Sequence, residues 1–363
     1  MNNKSHFYWL DALRFVAAFM VLFSHTRNDY FMAYGDLPAS QHGFVTFVFY
    51  TLGRLGHEAV VVFFVLSGFL VGGRCFERIQ NGTMNVKSYL IDRFSRIYPP
   101  LITAIIFYYV TCLFIPTEHW EWGKAIGNLL NLQGVFCDSL VSPFWSLSYE
   151  WWFYIVFGAL ATLLISTKEK TKLLGFIVMC SSALVFLIGD MLLYYLMIWL
   201  MGAVAYIKRP KKKNRIVLLG SVLGILLFVA LYQISKDSNS VHLPIVISNT
   251  MVVEVLLSVC MCLFIQQIVL FEPHSGLSKL IEKSLGYMGN FSYSLYLSHR
   301  IILMWVFYYV FSMNKGDMSL SSLLQYGALV VMCLFLCWIL SLVSERYTPQ
   351  IKKELKRVFS VAR

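Results

Sequence analysis

Apolar residues fall in long runs along this chain, separated by short segments where charge, glycine and proline collect. The runs centre on residues 9–27, 56–74, 98–116, 144–165, 173–188, 190–207, 216–234, 245–270, 289–312 and 321–343. A helix crossing a bilayer needs about 20 predominantly apolar residues, so each run predicts a membrane span. The expected fold is an all-α integral membrane protein, a bundle of about ten transmembrane helices.

Within these spans the polar positions carry the information. The first, WLDALRFVAAFMVLFSH, holds Asp11, Arg14 and His25. At 3.6 residues per turn Arg14 and His25 share a face, about 16 Å apart along the axis, with Asp11 close to the same stripe. An arginine at bilayer depth costs roughly 2.5–3.5 kcal/mol, which favours a stripe lining a cavity inside the bundle. The alternative is that Arg14 snorkels to one membrane edge while His25 sits at the other.

Composition agrees with the pattern. The 363 residues are 58% hydrophobic and 13% charged, with mean hydropathy +0.66, which excludes an ordinary soluble domain. Charge then orients the spans. With the N-terminus inside, the inner segments hold Lys4, the Arg74–Arg96 group, Lys168–Lys172, the run KRPKKKNR at 208–215, Lys279, Lys283 and six basic residues from Arg346 onward. That is 23 of the 30 lysines and arginines. Both termini are therefore expected in the cytoplasm, with residues 1–345 forming the membrane domain and 346–363 a basic tail on the membrane surface. The net charge of +11 reads as a topology signal rather than a nucleic-acid footprint. No cleavable signal peptide is expected, and the eight cysteines include no C-x-x-C pair.

Further polar positions follow in order. His57 and Glu58 open the second span, a candidate pair to support His25, and Ser67, Gly68, Gly72 and Gly73 within it are small enough for close helix packing. In YLIDRFSRIYPP, Arg93 and Arg96 lie one turn apart on a short amphipathic helix that Pro99 and Pro100 are expected to interrupt. Two guanidinium forks at a membrane edge suit a phosphate-bearing ligand; contact with lipid headgroups explains them equally well. In FWSLSYEWWFYIVF the tryptophans fit an interfacial belt but Glu150 does not, and an intramembrane carboxylate is a functional candidate. Glu254 has the same status without a motif around it. In GNFSYSLYLSHRIIL, Ser292, Tyr296 and His299 recur at i, i+4 and i+7, a second polar face, with Arg300 beside it.

Together these stretches resemble the membrane-bound acyltransferase 3 family of bacterial O-acyltransferases. The resemblance is carried by LDALRFVAAFMVLFSH (10–25), FFVLSGFL (63–70), RFSRIYP (93–99), WSLSYEWWFY (145–154) and FSYSLYLSH (291–299), in the family's order over almost the whole chain. Two departures stand out: Ala59-Val60-Val61 replaces the family's usual Gly-Val-acid run, and Ser298 replaces the aromatic residue before the last histidine. The resemblance implies a multi-pass enzyme of the bacterial inner membrane, in a stand-alone form without an extracytoplasmic hydrolase-like domain. It implies transfer of an acyl group, most commonly acetyl from acetyl-CoA, to a hydroxyl of a carbohydrate such as lipopolysaccharide or exopolysaccharide.

On this reading His25 is the general base and Glu150 orients its imidazole or binds the sugar. Arg14, Arg93 and Arg96 hold acyl-CoA, Arg93 and Arg96 at its phosphates, with direct transfer and an acyl-enzyme both open. Ser146, Tyr149 or Tyr296 donates to the oxyanion, while Asp11, His57, Glu58, Ser292 and His299 support the site. The expected partners are acyl-CoA, a carbohydrate acceptor and membrane lipid. No tightly bound cofactor and no metal is expected, because the histidines show no ligand spacing. The competing class is a secondary transporter using the same intramembrane polar residues.

Overall fold

The computed structural model describes residues 8–189, 191–236, 249–271, 280, 284, 286–311 and 315–359. In chain order the helices are α1 (Tyr8–Tyr30), α2 (Phe44–Leu52), α3 (Gly56–Ser67), α4 (Arg74–Gln80), α5 (Val86–Phe114), α6 (Trp122–Leu129) and α7 (Phe144–Ile165). They continue with α8 (Glu169–Ile188), α9 (Leu192–Ile207), α10 (Arg215–Lys236), α11 (Thr250–Ile268), α12 (Ser292–Tyr309), α13 (Leu320–Val343) and α14 (Thr348–Val358). A π-helical turn, Gly68–Gly73, joins α3 to α4.

Among the described residues, eight helical stretches are long and apolar enough to cross a membrane. Two of the ten expected spans are helical yet fall short of that measure. The 16-residue α9 is too short, and α12 is diluted by its serine, tyrosine, histidine and arginine residues. Lys4, Lys279 and Lys283, used above to orient the chain, lie outside the described residues, as do positions 190, 245–248 and 312 of the expected spans and 360–363 of the tail.

One expectation is corrected. Pro99 and Pro100 do not interrupt the segment carrying Arg93 and Arg96, and α5 runs as one helix of 29 residues. Two prolines remove two backbone donors, but such losses are tolerated where neighbouring elements hold the helix. Here α5 packs against α7, α12 and α14, and the Pro99 carbonyl accepts from Thr103 Oγ1 at 2.9 Å.

The helices form two compact units. The first contains the start of α1, α3, the π turn, most of α4, α9, α10 and α11. Its tightest packing rests on glycine: a Cβ on Gly68 would lie 1.8 Å from the Trp199 carbonyl oxygen, and one on Gly202 2.2 Å from that of Val65. The Trp199 indole donates to Ser67 Oγ at 3.0 Å. The small residues of the second span therefore serve close backbone approach between α3 and α9, as expected.

The second unit contains α1 from Ala18 onward, α2, α5 to α8, α12, α13 and α14. Its core is α12, with Leu295, Leu297 and Ile301 fully buried. α12 packs on α5 and α13, and α7 packs on α5 and α8. The loop after α1 is pinned by an aromatic cluster of Phe23, Phe31, Phe49 and Tyr326. α14 lies along α5, with Lys352 and Lys356 facing Asp92.

Candidate active site

The second unit gathers the polar face of α12, the face of α7 that carries Ser146, Glu150 and Tyr154, and the end of α1. On α7 these three recur every four residues and so line one side. Ser146 Oγ and Tyr296 OH are 2.6 Å apart, and Tyr293 OH donates to Glu150 Oε2 at 2.9 Å. The other carboxylate oxygen of Glu150 accepts from Tyr154 OH. α7 and α12 thus meet antiparallel through two polar rungs.

His25 reaches this face from α1. Its Nδ1 lies 2.9 Å from His299 Nε2, with the two ring centroids 5.1 Å apart. His299 Nδ1 lies 2.9 Å from the Leu295 carbonyl oxygen. A carbonyl only accepts, so His299 Nδ1 carries a proton and its neutral ring leaves a lone pair on Nε2. His25 Nδ1 then donates to that lone pair. His25 Nε2 makes no hydrogen bond to any described residue, and in the neutral ring it carries the lone pair. His299 is fully buried and His25 is half-buried, so His25 is the member open to a reactant.

Below the histidines on α12 sits a cationic group. The Arg93 guanidinium lies 5.5 Å from the Tyr154 ring centroid, and that of Arg96 5.2 Å from the Tyr293 ring. Neither donates a hydrogen bond to any described residue, and Arg93 Nε is buried without an acceptor. Each guanidinium has five N–H donors, so the pair is chemically suited to an anion, with Glu150 and Glu345 the carboxylates that act on Arg96. Tyr293 and His299 are six residues apart, about 9 Å along α12. The arginine pair and the histidine pair therefore stand at two levels of one polar face.

The remaining sequence candidates fall differently. Glu150 does not hold the His25 ring; that ring's partner is His299, and both Glu150 oxygens are taken by tyrosine hydroxyls. His57 and Glu58, expected to support His25, have their hydrogen-bond partners in the first unit. There His57 Nε2 bonds Glu254 Oε1 at 3.1 Å, and Glu58 accepts from Gln233. Arg14 pairs with Asp11 at 3.1 Å, also in that unit. Tyr149 is buried with its ring edge-on to Trp145, and Ser292 is buried at the start of α12. Arg300 is matched to Asp29. Among the described residues no group of three or more His, Cys, Asp or Glu is arranged to hold a metal ion.

Sequence reading missed Tyr154 and Tyr293, although both lie inside quoted motifs. Tyr154 is four residues after Glu150, the spacing at which helical side chains meet, and that signal could have found it. Asp92 and the tail lysines were missed too.

Comparison with known proteins adds identity to this geometry. The model of the acyltransferase 3 family, described as an acyltransferase domain, matches residues 7–342. A Haemophilus influenzae protein described only as an uncharacterized protein is 30% identical over 128 residues, which cover 31% of this chain and 52% of that protein. Protein 2 in the picA locus of Rhizobium radiobacter is 29% identical over 170 residues, 41% of this chain and 79% of that protein. The match thus spans about half the length of the first relative. No solved structure matches. With its apolar spans and a match over nearly all its length, the chain is a multi-pass protein of the bacterial inner membrane and belongs to the acyltransferase 3 family.

Proposed function

We propose that this protein is an acyl-CoA-dependent O-acyltransferase, moving acetyl from cytoplasmic acetyl-CoA to a hydroxyl of a cell-surface or lipid-linked polysaccharide. The observation that carries the proposal is the His25–His299 pair, in which His25 Nδ1 faces His299 and His25 Nε2 makes no hydrogen bond to a described residue. His25 Nε2 takes the proton of the acceptor hydroxyl as its oxygen attacks the thioester carbonyl. The C–S bond then breaks, and the departing CoA thiolate recovers the proton from His25. The reaction consumes no net proton, which suits a base without direct access to bulk water.

His299 is a positioning residue in this scheme, fixing the tautomer through the Leu295 carbonyl. The Ser146–Tyr296 hydroxyl pair sits beside it, with the Tyr296 and His299 rings 6.4 Å apart. One of these two hydroxyls donates to the other, and the one that accepts turns its own proton to the oxyanion. Arg93 and Arg96 hold the phosphates of CoA, and Glu150 positions the tyrosines beneath them. This arrangement goes with both termini in the cytoplasm, residues 1–345 as the membrane enzyme and 346–363 as its tail.

The test is acetylation of surface glycan by cells with and without this protein, alongside purified protein in nanodiscs given labelled acetyl-CoA and the same glycan. Label in the glycan that depends on the protein supports the reading. Release of label to water alone, or no turnover, removes it.

A further inference from the structure

Helix α14 lies beyond residue 342, where the family match ends, so nothing in that match assigns it a role. Its Thr348, Ile351, Lys352, Leu355 and Lys356 form the half-buried side of an otherwise exposed helix, and the helix packs on α5. Lys352 Nζ lies 2.9 Å and Lys356 Nζ 3.7 Å from the same oxygen, Asp92 Oδ1.

Asp92 precedes Arg93 by one residue and Arg96 by four. On a helix an acid at i and an arginine at i+4 face each other and pair. Here they do not. The ion-pair partners of Asp92 among the described residues are the two lysines, while Arg96 rests on the Tyr293 ring. The Asp92 side chain is 17% exposed, and a carboxylate that buried requires a cation. Without the lysines, Arg96 at i+4 is the cation that helical spacing offers it.

We propose that α14 is a positioning element for the donor site: Lys352 and Lys356 hold Asp92, and so keep Arg93 and Arg96 open to the phosphates of CoA. The proposal rests on the donor reading given above. A small competition decides its size. An Asp92–Arg96 pair in a partly buried setting competes with phosphate for the same donors, so losing both lysines raises the apparent KM for acyl-CoA roughly three- to tenfold. The rate at saturating donor is unaffected, because the pair does not touch the reacting atoms.

The experiment uses the full chain in nanodiscs, reading CoA affinity by calorimetry and kcat and KM for transfer. Four proteins are compared: wild type, K352Q/K356Q, K352Q/K356Q with Asp92→Asn, and Arg96→Ala. The expected result is a raised KM with normal kcat for the lysine pair, and recovery when Asp92→Asn removes the competing charge. Failure of Asp92→Asn to recover affinity overturns the proposal in favour of direct phosphate contact by the lysines. Unchanged affinity in K352Q/K356Q with weakened affinity in Arg96→Ala overturns the proposal and leaves the donor reading standing. Unchanged affinity in Arg96→Ala as well removes the donor reading itself. Lipid headgroup phosphate offers the same chemistry, so each protein is measured in zwitterionic and in anionic nanodiscs. A lysine effect confined to anionic lipid assigns α14 to lipid and overturns the proposal.

Discussion

His25 Nδ1 and His299 Nε2 stand 2.9 Å apart although 274 residues separate them in the chain. The bond has a direction. With its Nδ1 proton on the Leu295 carbonyl, a neutral His299 accepts from His25, and the proposed role of His299 is to orient that ring.

His299→Phe keeps ring volume but removes the acceptor. At saturating donor, kcat should fall roughly tenfold to hundredfold, because His25 is then free to turn and to hold its proton on either nitrogen. That is less than the 10²–10⁴-fold a positioned base contributes in total. KM for acyl-CoA should not move. Steady-state kinetics check this, and a normal kcat removes His299 from the positioning role.

Glu150 separates the two levels of the site. Since its oxygens accept from Tyr154 and Tyr293, and those rings lie beneath Arg93 and Arg96, its loss should act on the donor. Glu150→Gln, Arg93→Ala and Arg96→Ala should all raise KM for acyl-CoA with kcat largely retained. A lost charge-assisted bond to phosphate is worth about 1.5–3 kcal/mol, so each arginine variant should weaken CoA by roughly tenfold to a hundredfold, and Glu150→Gln by less. Calorimetry with CoA reads this directly. A Glu150→Gln defect in kcat alone would return Glu150 to the imidazole.

How far the sequence led varies with distance along the chain. Apolar run length was enough to find eight of the ten expected spans as long apolar helices, because bilayer thickness acts on each helix separately. The glycines of the second span were legible for the same local reason. Pro99 and Pro100 misled, since whether a helix survives them depends on what packs alongside, and α7, α12 and α14 come from distant sequence. The partner of His25 was hidden likewise. The spacing marked His25 and His299 each as polar on a helix face, but nothing in either helix says that the two faces meet. Asp92 went unnoticed because its lysine partners lie about 260 residues further along the chain.

The loop after α1 should respond to acid. Asp317 accepts from Gln41 Nε2 at 2.9 Å, and this bond, helped by Ser319, holds its carboxyl below the ordinary range. A carboxyl depressed in the folded state stabilises above its unfolded value, near 3.9, and loses that contribution as pH falls through the depressed value. The protection factors of residues 31–53 should therefore be high and constant around neutral pH and fall in acid below that value. Asp317→Asn should weaken protection already at neutral pH and flatten the dependence. Equal protection in both proteins at all pH values would discount the contact.

The central claim is that His25 Nε2 is the base of the transfer step, and its most direct test is the turnover of His25→Ala in nanodiscs at saturating acetyl-CoA, with CoA affinity measured on the same preparation. The account predicts transfer reduced by roughly a hundredfold or more with CoA affinity kept near wild type, since the donor's phosphates are held elsewhere. Near-normal turnover in a protein that binds CoA normally would contradict it.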